Sequence, residues 1–572
     1  MRAMRIALAA LAIGSFACGG HNNGDDTTGA TLELTPPAVE LLILNGAAAT
    51  QDYKAIVHYA DGDTRDVTDE TVFGIDGTFG TFAGATATVT TAGKTSVFGT
   101  YKDVTGMAEI IARVKSTRVD PSLPPNTPDV FNGPADPARA PTVVYPPADV
   151  VMPRNLGDFE AHWIDGSGND VFELSLVTEF ADVRVYVRGG NGVPAAGPMP
   201  SFTAFTAAEW VSAVGLEPTA TYNVRGVQLA NPTSVGTGTP RLVKLTNEAM
   251  EGGIYYWAAA NTSGAYGIFR HDMAKPGQPA EEFMTTNQTS GRCVACHVLS
   301  RDGTKLAITF DGGDGKATLV DVATQAAQPD TQAWNFATFT PDGNQLLTVS
   351  KGVLTVRNAT DQTVLATMTS AGYATHPDLS ADGTRLVYVR PATPGADWSF
   401  QTGAIFTRTY DPVTRTFGAE TPLVNDGSNN YYPSWSPDGQ FILFNRAPGG
   451  DAYNNPNATL FVVKADGSAP PVQLAVANAA GPLTNSWGRW APFEQSLGAS
   501  HEKLYWVTVS SKRDFGVRLV NAQRPQIWMT PFFPDRAAQA ADPSAVAFRL
   551  PFQDITSNNH IAQWTERVVV TQ

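Results

Sequence analysis

Two cysteines and a histidine form the pattern in this sequence with the most specific chemistry. They are Cys293, Cys296 and His297, in the order Cys-x-x-Cys-His. Two intervening residues let both thiols reach the two vinyl groups of one porphyrin, and the adjacent histidine can then ligate the iron. The pattern therefore predicts one covalent haem c, with thioethers from Cys293 and Cys296 and with His297 as the proximal iron ligand.

Three other uses of these residues stay open. A redox-active disulfide usually opens a helix in a βαβ unit, and the sequence around the motif does not predict such a unit. Cys293, Cys296 and His297 could coordinate a zinc ion, but the chain has no second cysteine pair to complete the site. The third alternative is a pair of buried thiols that have not reacted.

The second axial position of the iron has several candidate ligands. His560 is preferred, because it belongs to a segment that we expect beside the motif. Met284 is the alternative distal ligand, and an open position is a further one. The distal ligand would set the reduction potential of the haem, and an open position would allow peroxide or gases to bind the iron. Arg292, next to the motif, is a candidate partner for a haem propionate. Other residues considered as ligands are His271, Met273 and His376.

The motif stands at the start of the first of four related segments. Each segment has two short apolar stretches joined by an Asp-Gly turn, and the turns are 40, 40 and 56 residues apart. One such unit per 40 to 56 residues predicts a β-propeller. The segments resemble the repeats of TolB-like propellers, whose blades carry the Ser-Pro-Asp-Gly turn found here at Ser436–Gly439. The aspartates of the four turns are Asp302, Asp342, Asp382 and Asp438.

Counting strands over residues 249–572 favours six blades, with seven as the alternative. The first blade lacks an inner strand, and the terminal segment 558–566, which contains His560, is left to supply it and close the ring. Inner strands line the central channel, so the haem is expected at one mouth of this channel or beside it. The three predicted strands of the first blade are Gly253–Trp257, Gly267–His271 and Glu281–Met284.

Two β-sandwiches are predicted before the propeller, which makes the expected fold class all-β. Residues 31–118 alternate apolar and polar side chains between glycine turns and resemble bacterial immunoglobulin-like domains of group 2. Residues 119–150 contain nine prolines and predict an extended linker. Residues 151–248, with Trp163 and the segment 220–229, resemble a fibronectin type III-like sandwich.

The amino terminus predicts export. Residues 1–17 place Arg2 and Arg5 before a short apolar stretch, as in a signal peptide. The sequence Ser-Phe-Ala-Cys that ends at Cys18 resembles a bacterial lipobox, in which the cysteine is lipidated. Ordinary cleavage after Ala17 is the alternative. Residues 18–30 then form the lipidated end and a flexible tether, so we expect the protein in the cell envelope, in the periplasm or at the outer membrane, held by a lipid anchor only.

Composition and charge argue against a nucleic-acid-binding protein and a protein with membrane-spanning helices. The chain has 572 residues, of which 42% are hydrophobic and 16% charged, with 52 glycines and 40 prolines, as is typical of a turn-rich β protein. A net charge of −15 repels phosphate backbones, so nucleic acid is not expected as a partner. No internal stretch is apolar for long enough to predict a membrane-spanning helix.

As a whole, the sequence resembles exported proteins of myxobacterial type that combine a TolB-like propeller with an embedded haem motif. The motif and the resemblance predict an envelope electron-transfer or redox-sensing protein rather than a defined catalyst. The alternative is a propeller that binds envelope protein partners, with the haem structural or absent. The third hypothesis is a peroxidase-like enzyme with an open iron position. The sequence indicates neither the redox partner nor the oligomeric state.

Overall fold

Strands make up almost all regular structure of the chain, which confirms the predicted all-β class. No helix among the described residues is long and apolar enough to cross a membrane. The expected export signal and Cys18 lie outside the described residues. The computed structural model describes residues 26–193, 197–259, 264–312, 315–369, 372–393 and 395–571.

The chain divides into two units, and the first comprises the described residues up to Thr117 with Val177–Val183 and Ser212–Glu217. Its strands are β1 (Thr31–Thr35), β2 (Ala38–Leu44), β3 (Ala49–Asp52), β4 (Lys54–His58), β5 (Thr64–Asp66), β6 (Val72–Gly74), β7 (Gly80–Ala83), β8 (Thr86–Val89), β9 (Gly93–Tyr101) and β10 (Val104–Val119), with a 3₁₀ turn at Thr68–Glu70.

Strands from three sheets build this unit. Their strand orders are β1-β4-β5, β3-β8-β7, and β2-β10-β9-β6 with β2 and β10 parallel. Leu32 and Leu34 of β1 and Val57 of β4 are buried, while their neighbours along each strand are more exposed. This alternation is typical of antiparallel sheets that each bury one face, and it matches the predicted first β-sandwich.

The second unit begins with another sandwich. Its two sheets have the strand orders β11-β13-β16 and β12-β19-β17-β14-β15. Aromatic residues fill the space between them: Trp163 lies 5.1 Å from Phe172, and Phe159 stacks on Trp210 at 4.7 Å, both distances between ring centroids. The elements are β11 (Thr142–Tyr145), β12 (Val151–Met152), β13 (Phe159–Asp165), β14 (Val171–Val177), β15 (Ala181–Arg188), β16 (Met199–Phe205), α1 (Ala207–Val214), β17 (Thr219–Val227), β18 (Gly236–Thr237) and β19 (Arg241–Leu245).

The proline-rich segment 119–150 is packed rather than extended. Leu123 and Phe131 are buried in an apolar cluster with Tyr186, and Thr142–Tyr145 forms strand β11 of the sandwich. Two 3₁₀ turns, Thr127–Asn132, which contains Phe131, and Pro137–Arg139, precede β11. The expected free linker is therefore a part of the second sandwich, because the apolar residues between its prolines are buried there.

The rest of the second unit is a β-propeller with six blades in the described residues, each with four main strands. Blade 1 contains β20 (Gly253–Ala259), β21 (Tyr266–Asp272) and β22 (Glu281–Thr285), and blade 2 contains β23 (Val294–Leu299), β24 (Lys305–Phe310), β25 (Lys316–Asp321) and β26 (Gln332–Ala333). Blade 3 contains β27 (Phe336–Phe339), β28 (Gln345–Ser350), β29 (Val353–Asn358) and β30 (Val364–Thr367), and blade 4 contains β31 (Thr375–Leu379), β32 (Arg385–Pro391), β33 (Gly403–Asp411), β34 (Thr416–Phe417) and β35 (Thr421–Val424). Blade 5 contains β36 (Asn429–Trp435), β37 (Phe441–Ala447), β38 (Thr459–Lys464), β39 (Val472–Gln473) and α2 (Ala475–Asn478), and blade 6 contains β40 (Ser486–Leu497), β41 (Glu502–Ser511), β42 (Gln526–Phe532), α3 (Pro534–Ala538) and β43 (Phe548–Arg549), with a 3₁₀ turn at Gly498–Ser500.

The last strand of the chain closes the ring. Strand β44 (Asn558–Thr565) pairs antiparallel with β20 and becomes the inner strand of blade 1. Pairing the two ends of the propeller removes an open sheet edge. The predicted count of six blades and the predicted closure by the terminal segment are both confirmed.

The Asp-Gly turns share one set of contacts. In blade 5, the Ser436 hydroxyl donates to Asp438 at 2.6 Å, and the same carboxylate accepts the N–H of Gln440. Gly439 has φ +67°, which a side chain would strain. Each turn thus ends an inner strand and starts the next one at a fixed place in its blade.

Candidate functional site

Six residues at equivalent positions of the inner strands close the central channel. In blades 2 to 5, each stands six residues before the aspartate of its turn. Tyr432 stacks on Trp487 at 3.8 Å between ring centroids, and the ring of His376 lies 4.3 Å from that of Tyr432. We call this layer the septum. From blade 1 to blade 6 it consists of Ile561, Cys296, Phe336, His376, Tyr432 and Trp487.

A cavity lies on each side of the septum. The cavity on the side of Cys293, the upper cavity, has a volume of about 270 Å³. The cavity on the side of the Asp-Gly turns, the lower cavity, has a volume of about 180 Å³. Cys296, Phe336, Tyr432 and Trp487 line both cavities.

A β-bulge in β23 brings both cysteines to the upper cavity. Val294 pairs with Phe310 and His297 with Ile308, so β23 has one extra residue between these pairs. In a regular strand, residues three positions apart face opposite sides. The extra residue shifts the alternation by one position. Cys293 and Cys296 consequently line the same cavity, and both are free thiols.

The environment of the two thiols favours their protonated form. Burial raises the pKa of Cys296 to about 11, although the hydroxyl of Thr309 opposes the rise. Burial and, to a smaller extent, the charge of Asp311 raise the pKa of Cys293. Low pKa values are typical of catalytic thiols, so these values disfavour the redox-disulfide alternative. Among the described residues, no group of three His, Cys, Asp or Glu side chains is arranged to hold a metal ion.

His297 is a buried, neutral histidine. Neither of its ring nitrogens reaches a hydrogen-bond partner. Burial lowers its pKa to about 4, and the backbone carbonyls of Tyr255 and Ala295 oppose the fall without reaching hydrogen-bond geometry. A neutral imidazole with a free nitrogen is the form that binds metals. His297 itself lines the lower cavity, behind the septum from the two thiols.

His560 lies next to the motif, as the strand count predicted. It faces Trp257 of β20 across the closing strand pair, and it lines the upper cavity with both cysteines. Burial lowers the pKa of His560 to about 3, and the nearby charges of His297 and Lys512 add to the effect. Trp257 in turn donates its indole N–H to the carbonyl of Val294 at 2.7 Å. The closing strand and the motif strand therefore meet at this cavity.

The structure places Arg292 and Met284 elsewhere. The guanidinium of Arg292 lies 3.9 Å above the ring of Phe310 and binds the carboxylates of Asp330 and Asp311 at 2.7 and 3.1 Å. Its charge is therefore already balanced. Met284 lies on β22, the outermost strand of blade 1, within the apolar cluster of this blade.

The other histidine and methionine candidates are also apart from the thiols. His271 stacks on Phe552 at 4.1 Å and lines a separate cavity of about 520 Å³. Met273 is buried and lines neither channel cavity. His376 lies in the septum, at the position in blade 4 that Cys296 has in blade 2.

Much of the wall of the upper cavity was not predicted from the sequence. Trp257, Trp398 and Tyr453 line it together with the septum. Trp257 was detectable in principle, because it lies in a predicted strand opposite the predicted closing segment. Trp398 and Tyr453 lie in loops, whose sequences have no periodic pattern of apolar residues. The result is a mostly aromatic enclosure around two thiols and one histidine.

Comparisons with known proteins add little to this description. No protein-family model matches the chain, and no curated protein matches its sequence. Among solved structures, the chain is similar to TolB from Acinetobacter baumannii, with 12% identity and a TM-score of 0.39 over 75% of this chain and 98% of that one. A putative TolB from Agrobacterium tumefaciens has 14% identity and a TM-score of 0.31 over 55% and 99%.

A third similar structure is hydrazine synthase from Kuenenia stuttgartiensis, with 13% identity and a TM-score of 0.25 over 42% of this chain and 77% of that one. Scores of this size carry no argument about function. The fold assignment rests on the sheets of the chain itself: this is an all-β protein whose second unit contains a six-bladed propeller closed by its last strand.

Proposed function

We propose that this chain is an exported protein that carries one haem c at the upper cavity of its propeller and serves in electron transfer or redox sensing in the cell envelope. The observation that supports this most is the β-bulge that directs Cys293 and Cys296 to the same cavity within a Cys-x-x-Cys-His sequence. Bound haem would supply one-electron chemistry.

Part of the donor set supports this cofactor. Two protonated thiols share one wall, and the aromatic side chains of Trp257, Trp398 and Tyr453 give the cavity an apolar lining. His297 has two buried ring nitrogens without a partner, which is costly unless a ligand uses one of them. Because His297 lies behind the septum, the proposal requires its side chain to turn toward the upper cavity when the haem is attached.

His560 is our candidate for the distal iron ligand. It is neutral near pH 7, it lines the upper cavity, and it lies near enough to His297 that protonation of His297 would lower the pKa of His560. Met284 is the less suitable alternative, because it belongs to the outermost strand of its blade. If the distal position is open instead, cyanide or peroxide should change the haem spectrum, as the peroxidase-like alternative requires.

Export and a lipid anchor at Cys18 belong to the same proposal. Their support comes from the sequence, where a signal-like segment precedes a lipobox-like cysteine. Covalent haem attachment takes place outside the cytoplasm, so the motif and the export signal are consistent with each other.

The test is a pyridine haemochrome assay with a reduced-minus-oxidised spectrum of the full chain, matured in a periplasm with haem-attachment machinery. We expect one c-type haem per chain. The double variant Cys293→Ser/Cys296→Ser should lose covalent haem, whereas Val298→Ala, on the same strand beyond the motif, should retain it. Folded, exported wild-type protein without a haem spectrum would overturn the proposal.

A haem-free outcome would favour the second candidate function, a propeller that binds envelope protein partners. A second cavity at this end of the channel supports this candidate, because its volume is about 330 Å³ and it shares Trp257, Tyr453, Trp487 and His560 with the upper cavity. A Cys296→Ala variant that folds and still binds an identified envelope partner would support a binding role. Loss of that binding in the folded variant would count against it.

A further inference from the structure

The lower cavity holds an arginine without a counter-ion contact. Arg489 lies on β40, the inner strand of blade 6, and lines the cavity. Its guanidinium makes one hydrogen bond to the described residues, from Nη1 to the carbonyl of Gly488 at 3.0 Å, and forms no ion pair with them. A guanidinium has five N–H donors, so most donors of Arg489 are unused.

The nearest acidic side chain is engaged elsewhere. Asp378 lies close enough to Arg489 for their charges to interact. Its carboxylate nevertheless accepts the backbone N–H of Trp435 at 2.8 Å and the hydroxyl of Thr338 at 3.4 Å. Asp378 therefore balances the charge of the cavity in part without occupying the donors of Arg489.

His376 adds a second unused donor. Its Nδ1 accepts the backbone N–H of Tyr432 at 3.3 Å, which places the proton of the neutral ring on Nε2. This Nε2 is buried and has no hydrogen-bond partner. Burial, together with the charge of Arg489, holds the pKa of His376 well below its usual value, so the ring is neutral near pH 7. A buried N–H without an acceptor is costly.

We propose that the lower cavity binds a small carboxylate anion, held by the Arg489 guanidinium, and that the ring of His376, whose Nε2 is covered in the ligand-free cavity, turns to donate to the same anion. A guanidinium matches a carboxylate with two parallel hydrogen bonds. Burial raises the pKa of Asp378, and its carboxylate, when ionised, repels a dianion such as hydrogen phosphate more strongly than a singly charged carboxylate. A volume of about 180 Å³, closed above by the septum, limits the ligand to a small molecule or to the end of a chain. This proposal does not depend on haem attachment.

The probe is acetate, titrated into the full chain by calorimetry in a buffer without other carboxylates. We expect saturable binding, and binding roughly 10- to 100-fold weaker in Arg489→Gln, because a charge-assisted pair is lost. Arg536→Gln is the matched control, since Arg536 binds Glu502 at the edge of the same blade and lies outside the cavity. It should bind acetate as the wild type does.

His376→Phe provides a second variant if Arg489→Gln fails to fold. It keeps a ring in the septum and removes the donor, so acetate binding should weaken. Acetyl-diglycine and its C-terminal amide show whether the carboxylate belongs to a peptide. If acetyl-diglycine binds more tightly than acetate and the amide does not bind, the natural ligand is a peptide C-terminus. The proposal would be overturned if acetate showed no saturable binding, if both variants bound acetate as tightly as the wild type, or if phosphate bound more tightly than acetate.

Discussion

The imidazole of His560 lies edge-on to the indole of Trp257, with ring centroids 4.8 Å apart and planes at 73°. These residues are about 300 positions apart in the chain and meet only because β44 pairs with β20. The closure of the propeller and the composition of the upper cavity therefore depend on the same strand pair.

Removal of the closing strand should unfold the propeller. Deleting residues 558–572 leaves β20 with an open edge and exposes buried residues such as Ala562. We expect loss of a cooperative thermal transition, measured by circular dichroism. Deleting only 570–572 should leave that transition nearly unchanged. A cooperative melt in the longer deletion would show that β44 is dispensable.

Substitution of His560 should change the haem without removing it. In His560→Ala, we expect attachment to continue, because the cysteines are intact, but cyanide should bind more readily at a freed iron position. His560→Met should raise the reduction potential relative to a histidine pair. Visible spectra and potentiometry of the matured protein measure both effects. Unchanged spectra in both variants would exclude His560 as an iron ligand.

Acid should destabilise the protein partly through His271. Burial lowers the pKa of His271 to about 4, against about 6.5 in the unfolded chain. The unfolded state then binds more protons between these values, so stability is full above about pH 6.5 and falls as the pH drops toward 4. The shift corresponds to about 3 kcal/mol.

Denaturant unfolding at pH 7 and pH 4.5 measures this contribution. His271→Phe should lose less stability between the two pH values than the wild type, since Phe keeps the contact with Phe552 without a titrating group. His58→Gln, at a half-buried position in the first unit where the ring contacts Glu33, is the control. The same pH dependence in His271→Phe and in the wild type would contradict this assignment.

Arg292 should matter little to the haem. Its charge is paired with Asp330 and Asp311, and these groups are partly exposed. Arg292→Gln should therefore cost no more than about 1 kcal/mol of unfolding free energy and should leave the reduction potential unchanged. Thermal unfolding and potentiometry test both expectations. A clear shift in potential would restore Arg292 as a partner of a propionate.

The repeats made much of the propeller predictable. The fixed distance from each Asp-Gly turn placed the inner strands, and the count of strands in blade 1 identified 558–566 as the closing segment. Both inferences needed only local patterns and the requirement that a ring has no open edge. The position of His560 beside the motif followed from them.

Other features depend on contacts that a local pattern does not contain. The bulge in β23 is a matter of hydrogen-bond register with β24, so the side of the septum on which His297 lies was not foreseeable. Trp398 and Tyr453 reach the upper cavity from loops without a period. The proline-rich segment suggested an extended chain, but the burial of Leu123 and Phe131 is decided by the sandwich that receives them.

Within the part of the propeller that the structure describes, the septum lies between two separate cavities of the central channel. Five of its six residues are buried, and four of the six line both cavities. The two ends form separate compartments, one aromatic with two thiols and the other polar with an arginine. Cys296 borders both compartments. Phe336, Tyr432 and Trp487 border both as well, so repacking of any of these four septum residues would change the walls of both compartments.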